Sequence, residues 1–119
     1  MKKQITIGVG DATTTAKGFL DAWKHAEYGE ELEQKHRLYF ESLEVLLKTL
    51  TPGRWRLLKK LHAKGPMSIR ALANDLGRDY ENVYTDVRRL ENIGLIERTK
   101  NDRIKVPWHI VEARLLLAA

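Results

Sequence analysis

Residues 80–89, Tyr-Glu-Asn-Val-Tyr-Thr-Asp-Val-Arg-Arg, carry the side chains whose types and spacing best suit a chemical task. In a helix turning about 100° per residue, with Val83 set toward a core, the opposite face holds Glu81, Thr85, Arg88 and Arg89. Asn82 and Tyr84 flank that face, and Tyr80 opens the segment. These groups donate and accept in fixed directions, which is what reading base edges in a DNA groove requires. Arginine can pair bidentately with guanine, asparagine with adenine, and a threonine methyl can meet a thymine methyl. Each good bidentate pair discriminates against the wrong base by about 1–3 kcal/mol. Two roles are open to Glu81: it suits the positive end of a helix, or it accepts from a cytosine amine. Asp86 turns back toward the core and reads as structural.

A second set of residues suits phosphate. Ser68 and Arg70 stand where a preceding helix would begin, beside outward-pointing backbone N–H groups. Arg78 falls in the turn between the two helices. Arg98, Lys100, Arg103 and Lys105 make a short hairpin strongly basic, as a wing lying along a minor groove would be. The plainer alternative is that these charges only solvate a small hairpin.

Other chemistries lack a pattern. His25, His36, His62 and His109 are scattered without the close helical spacing of metal ligands. There are no cysteines, so neither a disulfide framework nor a thiolate site can form. Gly8-Val9-Gly10 has no phosphate-loop context, no serine sits in a nucleophile elbow, and Glu30, Glu31 and Glu33 read as a solvated connection. No catalytic residue, metal site or cofactor is expected, and the chain does not read as an enzyme.

The elements that must position these residues follow from apolar spacing. Ile69, Leu72, Ala73 and Leu76 repeat at i, i+3, i+4 and i+7, and Val83, Val87 and Leu90 at i, i+4 and i+7. Gly77 and Gly94 stand where each helix should stop, positions that favour a left-handed residue. Ser68 and Asp79 are the matching caps. Ahead of this pair, Thr51-Pro52 starts a helix to about residue 64, with Trp55, Leu58, Leu61 and His62 on one face. Gly65-Pro66 ends it. Strands over 95–99 and 103–106 enclose a Lys100-Asn101-Asp102 turn, and 108–117 continues as a last strand.

The first fifty residues form an arm. Alternation predicts a strand over 3–9, then a helix over 14–29 with Phe19, Leu20, Trp23 and Ala26 as its stripe, then a strand over 37–40. Ser42 caps a further helix through Leu50, with Leu43, Leu46, Leu47 and Leu50 inward. The predicted fold class is therefore α+β. It is a winged helix-turn-helix over 51–106, with an N-terminal β-α-β arm over 1–50 and a C-terminal strand over 107–119. The arm is read as a dimerisation or partner-binding segment. Its apolar residues, with the VEARLLL tail, either enlarge one monomer's core or form a dimer interface.

Charge divides along the same boundaries. Residues 1–51 hold seven Lys/Arg against eight Asp/Glu, while 52–105 hold thirteen against seven. The excess belongs to the segment 52–105 that contains the helix pair and hairpin, as a polyanion partner would favour. At 119 residues and 43% hydrophobic content the chain can bury a core. No apolar run approaches the roughly 20 residues of a membrane span, and the opening MKKQITIGVG lacks the apolar stretch of a secretory signal. A cytoplasmic location without membrane contact is the expectation.

SIRALANDLGRDYENVYTDVRRLENIGLIER resembles the winged helix of the multiple-antibiotic-resistance and arsenic-repressor type regulators. The wider stretch LYFESLEVLLKTLTPGRWRLLKKL, with the segment above and KVPWHIV, resembles small prokaryotic transcriptional regulators. Some of those look like antitoxins of toxin–antitoxin pairs. The resemblance covers about residues 36–112 well and the arm loosely. It implies a dimeric winged-helix protein that binds double-stranded DNA and represses its own operon. Glu81 departs from the basic or small residue usual at that place. The expected function is thus a sequence-specific transcriptional regulator, a repressor binding its operator as a homodimer. Two alternatives stand beside it: an antitoxin whose arm neutralises a toxin protein, and a winged-helix protein–protein adaptor that does not bind DNA.

Overall fold

In the computed structural model, residues 2–10 and 34–117 are described. The helix expected over 14–29, with Phe19, Leu20, Trp23 and Ala26, lies outside the described residues. Among them the order is β1 (Lys3–Val9), β2 (Gln34–Phe40), α1 (Leu43–Thr49), α2 (Pro52–Lys64), α3 (Ile69–Leu76), α4 (Tyr80–Asn92), β3 (Glu97–Arg98), β4 (Ile104–Lys105) and β5 (Ile110–Arg114). The class is α+β. The chain divides into two compact units, Met1–Lys48 with Trp108–Ala119, and Thr49–Pro107.

In the first unit β1 is the middle strand of a sheet ordered β2-β1-β5, parallel to both neighbours. A central parallel strand is covered on both faces, and Gln4, Ile5, Thr6 and Ile7 are all buried. The two polar residues among them are satisfied. Gln4 donates to the Thr6 hydroxyl at 3.3 Å, and that hydroxyl donates to Glu112 at 3.4 Å. The last strand is shorter than expected, because Leu115, Leu116 and Leu117 run past the sheet and lie exposed.

α1 starts as its cap predicts, with the Ser42 hydroxyl accepting from Val45 N–H at 3.2 Å. Its inward face is narrower than the spacing suggests. Leu46 is buried, but Leu43 is 44% and Leu47 61% exposed. A helix of seven residues covers little more than one position of a core.

The second unit builds from α2. The Thr51 hydroxyl accepts from Arg54 N–H, and Pro52 opens the first turn. The buried stripe is Leu57, Leu58 and Leu61, whereas Trp55 and His62 are exposed. At about 100° per residue, 57 and 61 lie to one side of 58, with 55 and 62 on the other. The core takes the leucine side. α3 and α4 follow the expected pattern, with Leu72, Val83, Val87 and Leu90 fully buried and Leu76 half-buried. Ser68 and Asp79 cap these helices, and Gly77 ends α3 with a φ of 63°.

Past Gly94 the strands shrink to two residues each. The cause lies in the helix end: Leu95 and Ile96 give their N–H groups to the Leu90 carbonyl, so neither enters the ladder. β4 finds a second partner instead. Ile104 exchanges backbone hydrogen bonds with Met67 at 2.9 and 3.1 Å, tying the hairpin to the start of α3.

Gly65 marks a close approach in this unit. A Cβ there would lie 2.6 Å from the Leu61 carbonyl oxygen, a backbone atom that cannot swing aside. Gly65→Ala should therefore lower stability by about 1–3 kcal/mol, as overpacking does. An unchanged urea midpoint would refute that crowding.

Among the described residues, no helix is long and apolar enough to cross a membrane.

Candidate nucleic-acid interface

α4 buries Val83, Val87 and Leu90 and so turns Glu81, Asn82, Tyr84, Thr85, Arg88 and Arg89 to solvent. Tyr80 is half-buried at its start. The Thr85 hydroxyl donates back to the Glu81 carbonyl at 3.0 Å, which commits its proton within the helix. Arg88 and Arg89 make no ion pair among the described residues.

Two helices meet over an aromatic contact. The Arg70 guanidinium lies 4.6 Å from the Tyr80 ring centre, and Tyr80 lies 6.1 Å from the Tyr84 ring. A cation over an aromatic face is attracted by the ring's negative face, so α3 and α4 are joined at their N-terminal ends. Beside this contact runs a groove of about 470 Å³, lined by Ser68, Ile69, Arg70, Tyr80, Tyr84, Arg88, Arg98 and Asp102. Six residues chosen from sequence thus come together around one concavity.

The remaining arginines have other duties. Arg78 donates to Asp86 at 2.8 Å, and Arg54 donates to the other Asp86 oxygen at 3.0 Å. Arg54 also caps the Thr49 carbonyl at 2.9 Å. Asp86 therefore fastens α2, the inter-helix turn and α4 together, and Arg78 is engaged in that clamp rather than presented alone. Arg98 is held in the same way. Its guanidinium donates twice to Glu91 at 3.1 Å and once to Asp102 at 2.9 Å, so it binds the hairpin to α4. Lys100, Arg103 and Lys105 are exposed and make no ion pair among the described residues. They are the hairpin's available cations.

Arg54, Glu91 and Asp102 did not stand out in sequence. Arg54 meets Asp86 across 32 residues of chain, and Glu91 meets Arg98 across a helix end, so no helical spacing announces either pair.

The Glu91–Arg98 pair has a pH signature. The Arg98 hydrogen bonds hold the Glu91 carboxyl below its ordinary 4.5, against an opposing push from burial. A carboxylate lowered by folding adds stability that is complete above the ordinary value and is lost as pH falls through the folded one. Glu91→Gln removes that titration. The stability gap between wild type and variant should stay constant above pH 4.5 and narrow below it. Urea melts across that range test this, and a gap that persists on the acid side would refute it. Asp75 is lowered too, chiefly by its hydrogen bond from Lys64.

Among the described residues, no group of three or more His, Asp or Glu is placed to hold a metal ion.

A family model described as HVO_A0114 matches residues 49–113. That match takes in α2, α3, α4, the hairpin and most of β5. No curated protein and no solved structure matches the chain.

Proposed function

We propose that this chain, which belongs to the HVO_A0114 family, is a sequence-specific regulator of transcription that binds duplex DNA. Three helices followed by a hairpin is the order of a winged helix-turn-helix, with α4 as the recognition helix and β3–β4 as the wing. The observation that carries the reading is the solvent face of α4. Arg88, Arg89 and Asn82 stand exposed there, beside a groove that continues to Arg70 and Ser68. Base edges would be read by the α4 face, and phosphates would be met by Ser68, Arg70, Lys100, Arg103 and Lys105. The chain would act as a cytoplasmic repressor, bound as a homodimer to twofold half-sites. It is assigned no catalytic step.

The test is a titration of the chain against the DNA upstream of its own gene at several salt concentrations. Each phosphate neutralised releases counterion, so affinity should fall steeply and log-linearly with salt. Flat salt dependence, or equal affinity for any duplex, would overturn the reading.

A second reading, an antitoxin whose arm holds a toxin, draws on the exposed Leu43, Leu47 and Leu115–Leu117 of the first unit. Apolar side chains left in water favour a protein contact. Light scattering separates the two: a particle of twice 13.8 kDa favours the homodimer, and a monomer favours the partner-bound arm.

A further inference from the structure

The exposed side of α2 carries Arg56, Lys59, Lys60 and Ala63, at i, i+3, i+4 and i+7. This stripe lies opposite the buried Leu57, Leu58 and Leu61 and faces the C-terminal end of α3. Between the two helices is a groove of about 560 Å³. Its lining carries four cations, Arg56, Lys59, Lys60 and Arg78, beside the carboxylate of Asp75, and Arg78 is already paired with Asp86 at 2.8 Å. Asp75 is already occupied, at 3.0 Å from Lys64 and 3.7 Å from Lys60. Arg56 and Lys59 have no ion pair among the described residues. The rest of the lining is apolar or bare: Gly53, the exposed Ala63 and the half-buried Leu76. The residues of the α4 groove are all different.

From this we infer that the α2–α3 groove is a docking site for an acidic peptide segment of a partner protein, one that carries a large apolar side chain. The cations and the apolar part of the lining make separate demands. Carboxylates on a peptide would answer Arg56 and Lys59, where like charges otherwise repel. An apolar side chain would cover Ala63 and Leu76, adding about 25 cal/mol for each Å² removed from water. A phosphodiester backbone meets the cations but has no apolar group to set against Ala63 and Leu76. A single stretch of peptide supplies both, as in other helix-groove recognition.

The test uses the full chain and a fluorescein-labelled, blocked peptide of about a dozen residues, glutamates around a central Leu-Phe pair. A second peptide has serines in place of that pair, and a short DNA duplex is the third probe. The wild type should bind the Leu-Phe peptide at least about tenfold more tightly than the serine peptide, a gap of about 1.4 kcal/mol. The double variant Arg56→Glu, Lys59→Glu should lose at least that factor for the peptide and lose less for the duplex. Arg56→Ala with Lys59→Ala, a milder change at two exposed positions, should lose part of it while its circular dichroism melt stays unchanged. Equal binding of the two peptides, or none of either, would overturn the inference. So would a loss of duplex rather than peptide affinity, which would make the groove a DNA-backbone contact. The peptide titrations contain no DNA, so their outcome is independent of the proposal for α4.

Discussion

Leu90→Ala should destabilise the Thr49–Pro107 unit by about 2–5 kcal/mol, the range for a buried leucine truncated to leave a cavity. Leu90 is fully buried on the inner face of α4, in line with Val83 and Val87. Its carbonyl also receives the N–H groups of Leu95 and Ile96, so the helix end and the approach to the hairpin converge on this residue. Small domains hold about 5–15 kcal/mol in all, and the loss is a large share of that. The exposed side chains of α4 stay chemically intact in the variant. Duplex affinity should therefore fall only as far as the unfolded fraction rises, and recover on cooling toward the temperature of greatest stability. Urea melts followed by circular dichroism measure the first effect. A shift below about 1 kcal/mol would mean that the site collapses around the gap.

The same residues explain how much of this architecture can be read from the chain. Val83, Val87 and Leu90 repeat over about two turns with a cap ahead and a glycine behind, and there the pattern leaves one choice of face. In α2 it leaves two. Trp55, Leu58 and His62 fit a helical stripe as well as Leu57, Leu58 and Leu61 do, and only packing against neighbours selects between them. α1 is too short for its four leucines to share one fate. Parallel pairing is harder still: β5 lies beside β1 with Ile7 opposite Ala113, and nothing in either strand's alternation names its partner.

For the candidate site, the residue types were legible and their pairings were not. Ser68, Arg70, Tyr80, Tyr84 and Arg88 reach one groove because caps and apolar spacing fix two helices, and those signals are local. Arg78 and Arg98 looked like two more basic contacts. Asp86 lies eight residues from Arg78, and Glu91, which takes two of the Arg98 hydrogen bonds, lies seven away across a helix end. Asp102 is four residues from Arg98 but in a turn, where no helical spacing announces it. Both arginines hold elements together, which leaves Lys100, Arg103 and Lys105 as the hairpin's unpaired charge. The cationic stripe on α2 was present in sequence too, but a helix face gains meaning only from what stands across from it.

The two kinds of cation should fail in different ways. Arg88 is exposed on the α4 face and makes no ion pair among the described residues, so its fork is available to a guanine edge. Arg88→Ala should cost about 1–3 kcal/mol on the preferred operator, and much less on duplexes changed at the base it reads. Specificity should relax, with the salt slope changing by about one unit or less. Lys100→Ala should do the opposite. It sits at the hairpin tip, where a phosphate is the available partner, and its loss should weaken all duplexes alike and lower the salt slope by about one. Neither change touches a buried contact, so neither should move the urea midpoint. Competition titrations against a set of single-base operator variants, run at several salt concentrations, separate the two effects. If Arg88→Ala left the order of preference among those duplexes intact, no base would be read through Arg88, and the proposal for α4 would fall with it.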